Sequence, residues 1–263
     1  MNTQKFIFNL LIFLSLVASA STYTITISNE EAQIIGEKIW KNECGGSFEG
    51  LTHWNKGESF PSLGIGHFIW YPKDKKERFQ ETFPDLLIFL QESGVTLPSW
   101  LSTNKECPWN SQEEFYHDIQ SPEMKALRQF LFDTRHLQAI FIVNRLNKAF
   151  SKILSHCSET EQKQITAIYQ CLSEDTKGLY AIIDYLNFKG DGTSLNETYK
   201  GQGWGLLQVL RGMPPSSNEP LVDFVQSAKI VLEERVQNSP PERNEKRWLK
   251  GWHNRIDTYL AQD

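Results

Sequence analysis

The sequence has little positive charge, and this scarcity excludes some classes of partner. Its 263 residues contain 27 Lys and Arg against 32 Asp and Glu, so the formal net charge is −5. A mildly acidic chain does not bind nucleic acid through its overall field. It also lacks the positive charge that would steer it over a distance to an anionic polymer. We therefore expect no nucleic-acid partner, and a protein already located beside its ligand.

Cysteines are few, and their spacing argues against a zinc site. None of Cys44, Cys107, Cys157 and Cys171 forms a Cys-x-x-Cys pair, so we expect no metal and no organic cofactor. In an oxidising compartment four cysteines allow three disulfide pairings. Buried free thiols are the alternative.

One long apolar run occurs, at the start of the chain. Lys5 precedes the run from Phe6 to Ala18, and Ala18-Ser19-Ala20 has the small-x-small pattern of a secretory cleavage site. We interpret residues 1–20 as a signal peptide, with an uncleaved N-terminal anchor as the alternative, and expect no membrane span after cleavage. No low-complexity linker or repeat follows. Residues 21–263 are therefore expected to form a single domain, periplasmic or secreted and monomeric.

The rest of the chain has mostly helical patterns. Ser28 stands three residues before Glu31, a capping-box pattern, and apolar residues at helical spacing predict a helix over 29–43 that Gly45-Gly46 terminates. Residues 47–71 alternate turn formers with large apolar residues, which predicts a glycine-rich β-hairpin or three-stranded sheet. Further helices are expected at 75–92, 111–118, 122–133, 136–156, 159–172, 176–186, 204–212, 219–236 and 241–261, the last with Trp248, Trp252, Ile256 and Tyr259 facing the core. The pattern predicts an α+β fold.

Glu43 has the surroundings of a proton donor. It follows Ile35 and Ile39 on the apolar stripe of the first helix, so its carboxyl group is expected to be partly desolvated. It also lies in the last turn, where the helix dipole disfavours negative charge. Both effects raise the pKa, as a general acid requires. The alternative is a last-turn Glu that points into water.

The segment after Glu43 resembles a known family. A helix that ends in Glu, followed by a glycine-rich hairpin whose returning strand reads Leu-Gly-Ile-Gly-His-Phe, resembles the phage-type lysozymes and their superfamily. Residues 39–71 also resemble a bacterial branch of lysozyme-like proteins that shares the Trp-Asn-x-Gly-Glu and Ser-Leu-Gly-Ile-Gly-His-Phe-Ile-Trp-Tyr-Pro elements. The likeness is specific over about thirty residues and only architectural beyond them. It implies a mainly helical lysozyme-like fold, with the small sheet flanking an active-site cleft.

The resemblance implies cleavage of the β-1,4 bond of peptidoglycan or a related glycan, with a Glu as general acid. The end of the helix selects Glu43, whereas the family's Gly-Leu after the catalytic Glu selects Glu49. No Asp occurs between residues 44 and 73, where phage-type lysozymes place one, so Glu58 is the candidate for the second carboxylate. His67 matches the family's cleft histidine, which either bonds the acid or holds the sheet.

A second glycine-rich loop, 188–203, adds candidate substrate ligands. Amide side chains suit sugar hydroxyls, and aromatic faces can stack on sugar rings. The Gly-Trp-Gly-Leu-Leu-Gln sequence loosely resembles a cleft element of transglycosylases. The alternative to a role in substrate binding is the start of a helix against which Trp204 packs. Together with the hairpin, the predicted substrate-binding residues are Trp54, Asn55, Tyr71, Asn187, Gln202, Trp204 and Gln208.

Three other functions stay open at this point. The missing hairpin Asp leaves room for a lytic transglycosylase, which works with a single acid/base Glu, or for a non-catalytic wall-binding protein. A Cys44 nucleophile with His67 as base would cleave amides. The end of a helix is a poor place for it, because the dipole raises the pKa of a thiol there.

Overall fold

The architecture is mainly helical with two small antiparallel sheets, which confirms the α+β class. The computed structural model describes residues 23–75, 80–103 and 106–261, so the predicted signal peptide lies outside the described residues. The helices are α1 Asn29–Glu43, α2 Phe83–Glu92, α3 Ser99–Thr103, α4 Gln112–His117, α5 Pro122–Asp133, α6 Arg135–Ser155, α7 Glu159–Ser173, α8 Thr176–Lys189, α9 Leu206–Gly212, α10 Pro220–Asn238 and α11 Lys246–Asp257. The strands are β1 Thr52–His53, β2 Ser62–Leu63, β3 Phe68–Ile69, β4 Thr198–Tyr199 and β5 Gln202–Gly203. None of the helices in these described ranges has the length and apolar character of a membrane span.

Helix α1 forms as predicted, with a capping box at its first turn. The Ser28 hydroxyl accepts from the Glu31 amide at 3.2 Å, and the Glu31 carboxylate accepts from the Ser28 amide at 2.7 Å. Its apolar face packs on α6, and the two backbones meet at Gly36, where a Cβ atom would lie 2.9 Å from the Arg135 carbonyl oxygen. This packing fixes the end of α1, and therefore Glu43, against the core.

The predicted glycine-rich sheet is confirmed. β1, β2 and β3 are antiparallel in that order, with Thr52 opposite Leu63 and Ser62 opposite Ile69. Leu63 and Phe68 are fully buried, so the sheet is anchored by its inward side chains. The β2–β3 turn is consequently held close to the end of α1.

Two helix predictions need correction. The helix expected at 75–92 begins at Phe83, because Thr82 is bound to β3: its amide donates to the Ile69 carbonyl at 3.0 Å and its hydroxyl accepts from the Ile69 amide. Residues 76–79 lie outside the described residues. The helix expected at 241–261 is interrupted at Asn244, whose left-handed backbone separates a 3₁₀ turn from α11.

The predicted core-facing stripe of that last helix is also wrong at one position. Ile256 and Tyr259 are buried, but Trp248 is 52% exposed. Trp248 lies in the first turn of α11, whereas the fully buried residues lie at the other end. The loop over 188–203 contains the β4–β5 hairpin, which the sequence does not predict, and Tyr23 to Ile27 form an extended arm.

Candidate functional site

Glu43 lies at the junction of three elements. It is the last residue of α1, and its side chain is 20% exposed. One carboxyl oxygen accepts from Nη2 of Arg255 on α11, and the other lies 3.5 Å from Nδ1 of His67 in the β2–β3 turn. The carboxyl group is therefore held on two sides and still reaches solvent.

Arg255 is shared between two carboxyl groups. Besides Glu43, it donates to Asp184 on α8 from Nε at 2.9 Å and from Nη2 at 2.6 Å. Asp184 also accepts from the hydroxyls of Tyr259 and Tyr180, and its side chain is only 3% exposed. Burial alone would lower the pKa of Arg255, but the bonds to Asp184 and the charges of both carboxylates raise it. Arg255 therefore stays a cation at this site.

The pKa of Glu43 is raised to about 7. Burial is the largest cause; the charge of Arg255 lowers the pKa, while the charge and hydrogen bonding of Asp184 raise it again. The charge of Arg255, which also bonds Asp184, does not offset the desolvation of Glu43. Glu43 therefore carries a proton over a range in which an ordinary Glu has lost it.

His67 lies beside Glu43 because of an unusual turn. Its φ of 47° is left-handed, and Gly64 at the start of the turn has a φ of 69°. Burial, followed by the charges of His53 and Arg255, lowers the pKa of His67 to about 4. The imidazole is thus neutral at neutral pH. It is therefore a neutral neighbour of Glu43 rather than a counter-charge.

A buried glutamine fixes this turn. Gln138 of α6 is fully buried, and its side-chain oxygen accepts from the Ile65 amide at 3.0 Å. Its Nε2 donates to the Leu131 carbonyl at 2.7 Å and to the Thr134 hydroxyl at 3.0 Å. A Cβ atom on Gly64 would overlap the Gln138 oxygen, so the glycine is required here. Gln138 therefore determines where His67 stands relative to Glu43.

The predicted hairpin residues divide between core and surface. Asn55 is exposed and donates to Glu58 at 3.1 Å, so the carboxyl group of Glu58 is bound within its own turn. Trp54 is 2% exposed, packs on Phe115 and donates through Nε1 to the Glu58 carbonyl. Its expected role as a sugar-stacking ring is corrected to core packing, because neither ring face is open.

The remaining hairpin candidates differ in the same way. Tyr71 is 6% exposed with its ring against Phe60, so it too is a core residue rather than an accessible ligand. Glu49 begins a 3₁₀ turn and is exposed. The structure therefore gives the desolvated environment to Glu43 and not to Glu49.

The second glycine-rich loop is closed on itself. Gln208 accepts from the Gly205 amide at 2.9 Å and donates to the Gly192 carbonyl at 3.1 Å. A Cβ atom on Gly205 would overlap the backbone of Gly192. The amide of Gln208 thus serves its own loop, which accounts for the glycines without a ligand.

The other candidates from this loop lie apart from the Glu43 contacts. Gln202 is exposed and donates to Glu234, and Trp204 packs on Tyr199 and under Arg235. Asn187 is exposed near the end of α8, three residues after Asp184. Their predicted binding of substrate stays a prediction.

Asp184 and Arg255 were missed by the sequence reasoning, although each carried a signal. Asp184 lies between Tyr180 and Phe188 on one i, i+4 stripe, an acidic residue on a buried helix face. Arg255 shares a stripe with Trp248, Trp252 and Tyr259. Gln138 had no comparable signal, because nothing local relates it to a turn 73 residues earlier.

The four cysteines give little support for a thiol nucleophile. All four cysteines are free, so no disulfide forms between them. Burial, and then the charge of Glu43, raises the pKa of the Cys44 thiol to about 12, which argues against a thiolate nucleophile. Within residues 23–75, 80–103 and 106–261, no three His, Cys, Asp or Glu side chains gather as metal ligands would.

Fold and site together define a mainly helical α+β protein with a protonatable Glu at its surface. Neither the protein-family models, nor the curated proteins, nor the solved structures with which the chain was compared give a match. The site itself is therefore what indicates the function.

Proposed function

We propose that the protein cleaves the glycan strands of peptidoglycan and that Glu43 is the proton donor. The observation that carries the proposal is the position of the Glu43 carboxyl group, which is mostly buried between Arg255 and His67 and still reaches solvent; this burial raises its pKa. Cleavage of a glycosidic bond requires an acid that is still protonated near neutral pH. The resemblance of residues 39–71 to lysozyme-like proteins supplies the substrate class.

The neighbours of Glu43 fit a proton transfer. Protonated Glu43 would donate to the glycosidic oxygen, and the carboxylate left behind would be stabilised by Arg255, which already bonds it. Neutral His67, 3.5 Å away, can hydrogen-bond to the acid without repelling or neutralising it. Asp184 holds Arg255 in place from the buried side.

A lytic transglycosylase is a second candidate, and one observation favours it. Hydrolysing glycosidases generally use two carboxyl groups that flank the scissile bond. Asp184 is shielded by Arg255 and Tyr259, and Glu58 is bound to Asn55. Glu43 alone combines proton-donor character with exposure in the region described, and a transglycosylase needs only one such group.

The test is a zymogram on purified cell wall with wild type, Glu43→Gln and Glu49→Gln. We expect wild type and Glu49→Gln to clear the gel and Glu43→Gln to lose at least about a hundredfold in rate, the usual scale of general acid catalysis. Glu49→Gln is the matched control, because it makes the same chemical change six residues away. Clearing by Glu43→Gln, or no clearing by any of the three, would contradict the proposal; the second outcome indicates a wall-binding protein.

The two cleavage chemistries differ in their products. Hydrolysis leaves reducing ends, whereas transglycosylation leaves anhydro ends that are lighter by one water. Mass analysis of the muropeptides released by the wild type therefore decides between them.

A further inference from the structure

A strip of aromatic rings and one lysine leads away from Glu43. The Arg255 guanidinium lies over the Phe188 ring, 4.7 Å from its centroid. The Lys189 ammonium lies 3.8 Å from the Phe188 centroid and 3.6 Å from that of Trp252. We call Phe188, Lys189, Trp252 and Trp248 the Lys189 strip.

Helix geometry makes the strip continuous. Trp248, Trp252 and Arg255 are spaced i, i+4 and i+7 on α11, so they share one face. Trp248 is therefore about 10 Å along the helix from Arg255. On α8, Phe188 follows Asp184 by one turn on the same face. Two helices thus carry the strip outward from the residues that hold Glu43.

The strip is open to solvent at its outer end. Trp248 is 52% exposed, whereas Lys189, Phe188 and Trp252 are each partly exposed. An exposed tryptophan on a folded surface is a common element of binding sites, because its ring gives a large contact area with few rotatable bonds.

Lys189 has no ion-pair partner among the residues that the structure describes. Glu245 is nevertheless near enough to act on its charge. Glu245 already accepts two bonds from Arg235, at 2.8 and 2.9 Å, and one from Tyr199. Burial and the charges of Arg235 and Arg255 lower the pKa of Lys189 to about 7, against the weaker attraction of Glu245. A partly exposed ammonium group in these surroundings would be stabilised by an incoming anion.

We propose that the Lys189 strip binds a carboxylate-bearing glycan, with the carboxylate on the Lys189 ammonium and a sugar ring on Trp248. Phe188 and Trp252 hold Lys189 between their rings. The inference rests on the proposed function of Glu43 and adds a selectivity to it, namely for glycans that carry acidic substituents over neutral ones of the same backbone.

The test compares two ligands by calorimetry on the Glu43→Gln variant, which is expected to bind without cleaving. One ligand is a tetrasaccharide of alternating N-acetylglucosamine and N-acetylmuramic acid, and the other is neutral chitotetraose. We expect Lys189→Gln to weaken binding of the acidic ligand about tenfold while leaving chitotetraose unchanged. Lys189→Arg should keep the preference, and Trp248→Ala should weaken both ligands.

Matched controls are Lys163→Gln on α7 and Ile230→Ala on α10, both exposed positions on helices that carry no residue of the strip. Neither should change binding. If Lys189→Gln fails to fold, NMR of ¹³C-methylated lysines in the Glu43→Gln protein replaces it. The pKa of Lys189 should then rise with the acidic ligand and not with chitotetraose.

Two results would overturn the inference. The first is that the protein binds the two ligands with equal affinity and that Lys189→Gln changes neither affinity. The second is that the NMR resonance of Lys189 does not move when the acidic ligand saturates the protein. Either result leaves the proposed function standing as long as the wild type still clears cell wall. Failure of clearing, by contrast, removes the function of Glu43 whatever the binding experiment shows.

Discussion

The two glycine-rich regions solve similar packing problems with different results. In each, a glycine with positive φ lies against a glutamine side-chain oxygen: Gly64 against Gln138 and Gly192 against Gln208. Gln138 is fully buried and holds a turn that presents His67 to Glu43. Gln208 is partly exposed and bonds two segments of its own loop, at Gly205 and Gly192. Glycine content therefore indicates that two backbone segments approach closely. It does not indicate whether the segments present a functional side chain or only bond to each other.

The largest loss of stability should come from adding a side chain where two backbone segments of the second loop touch. A methyl group in Gly205→Ala would overlap the amide and Cα of Gly192, and backbone atoms cannot turn away as a side chain can. We expect a loss of more than about 3 kcal/mol in the free energy of unfolding, measured with urea. Gly251→Ala on α11 is the control, because nothing lies within 4 Å of its Cβ position and alanine favours the helix. A Gly205→Ala protein as stable as the wild type would show that the two backbone segments can separate.

Glu43, beside the first region, and Asp191, in the second loop, should make the stability of the protein depend on pH in opposite directions. Glu43 has a pKa raised above its unfolded value of 4.5 to about 7, so the native state holds the extra proton. Its stabilising contribution is complete below about pH 4.5 and is lost as the pH rises towards 7. The loss should be on the order of 2 to 3 kcal/mol, at 1.36 kcal/mol per pKa unit. The free energy of unfolding, measured with urea between pH 4.5 and 7, should therefore fall with pH in the wild type, and Glu43→Gln should remove this contribution to the slope.

Asp191 in the second loop is the matched acid. Burial raises its pKa, but hydrogen bonds from Lys152 and Thr193 outweigh burial, so the pKa is lowered from 3.8. Its contribution is therefore present above pH 3.8 and is lost on acidification. Asp191→Asn should leave the slope between pH 4.5 and 7 intact. His67, with its lowered pKa, contributes a slope of the opposite sign to that of Glu43, so only the difference between wild type and Glu43→Gln is diagnostic. If the difference in the free energy of unfolding between wild type and Glu43→Gln does not change with pH, the raised pKa of Glu43 is contradicted.

The two glutamines should differ in what their loss costs. Gln138→Met leaves the Ile65 amide and the Leu131 carbonyl buried without these partners, which should cost about 2 kcal/mol. Gln208→Met leaves the amide of buried Gly205 and the carbonyl of half-buried Gly192 without these partners, and because water can reach the second group we expect a smaller loss of about 1 kcal/mol. Urea unfolding measures both losses, and the NMR signal of His67 should shift in Gln138→Met alone. Equal losses and an unmoved His67 would mean that Gln138 is not what fixes the turn.

The sequence predicted what depends on local pattern. The capping box of Ser28 and the apolar stripe placed α1 and Glu43 correctly, and the turn formers predicted the sheet. Contacts between distant segments were not predictable: Arg255 reaches Glu43 across 212 residues, and Gln138 reaches Ile65 across 73. The sequence predicts Trp54 and Tyr71 as substrate ligands, but aromatic residues in a hairpin suit either a cleft or a core. Only the packing of Phe115 and Phe60 decides between these.

The smallest effect concerns the thiol beside the His67 turn. Cys44 is buried, and its Sγ donates weakly to the Gly64 carbonyl at 3.9 Å, whereas Cys171 is exposed. Cys44→Ala should therefore cost about 1 kcal/mol through a small cavity, and Cys171→Ala nothing measurable. A thiol reagent at neutral pH should modify Cys171 quickly and Cys44 only at the rate of unfolding, because burial raises the Cys44 pKa to about 12. Fast labelling of Cys44 in the native protein would mean that the junction between α1 and the turn opens, and that the proton on Glu43 is less well shielded than its pKa requires.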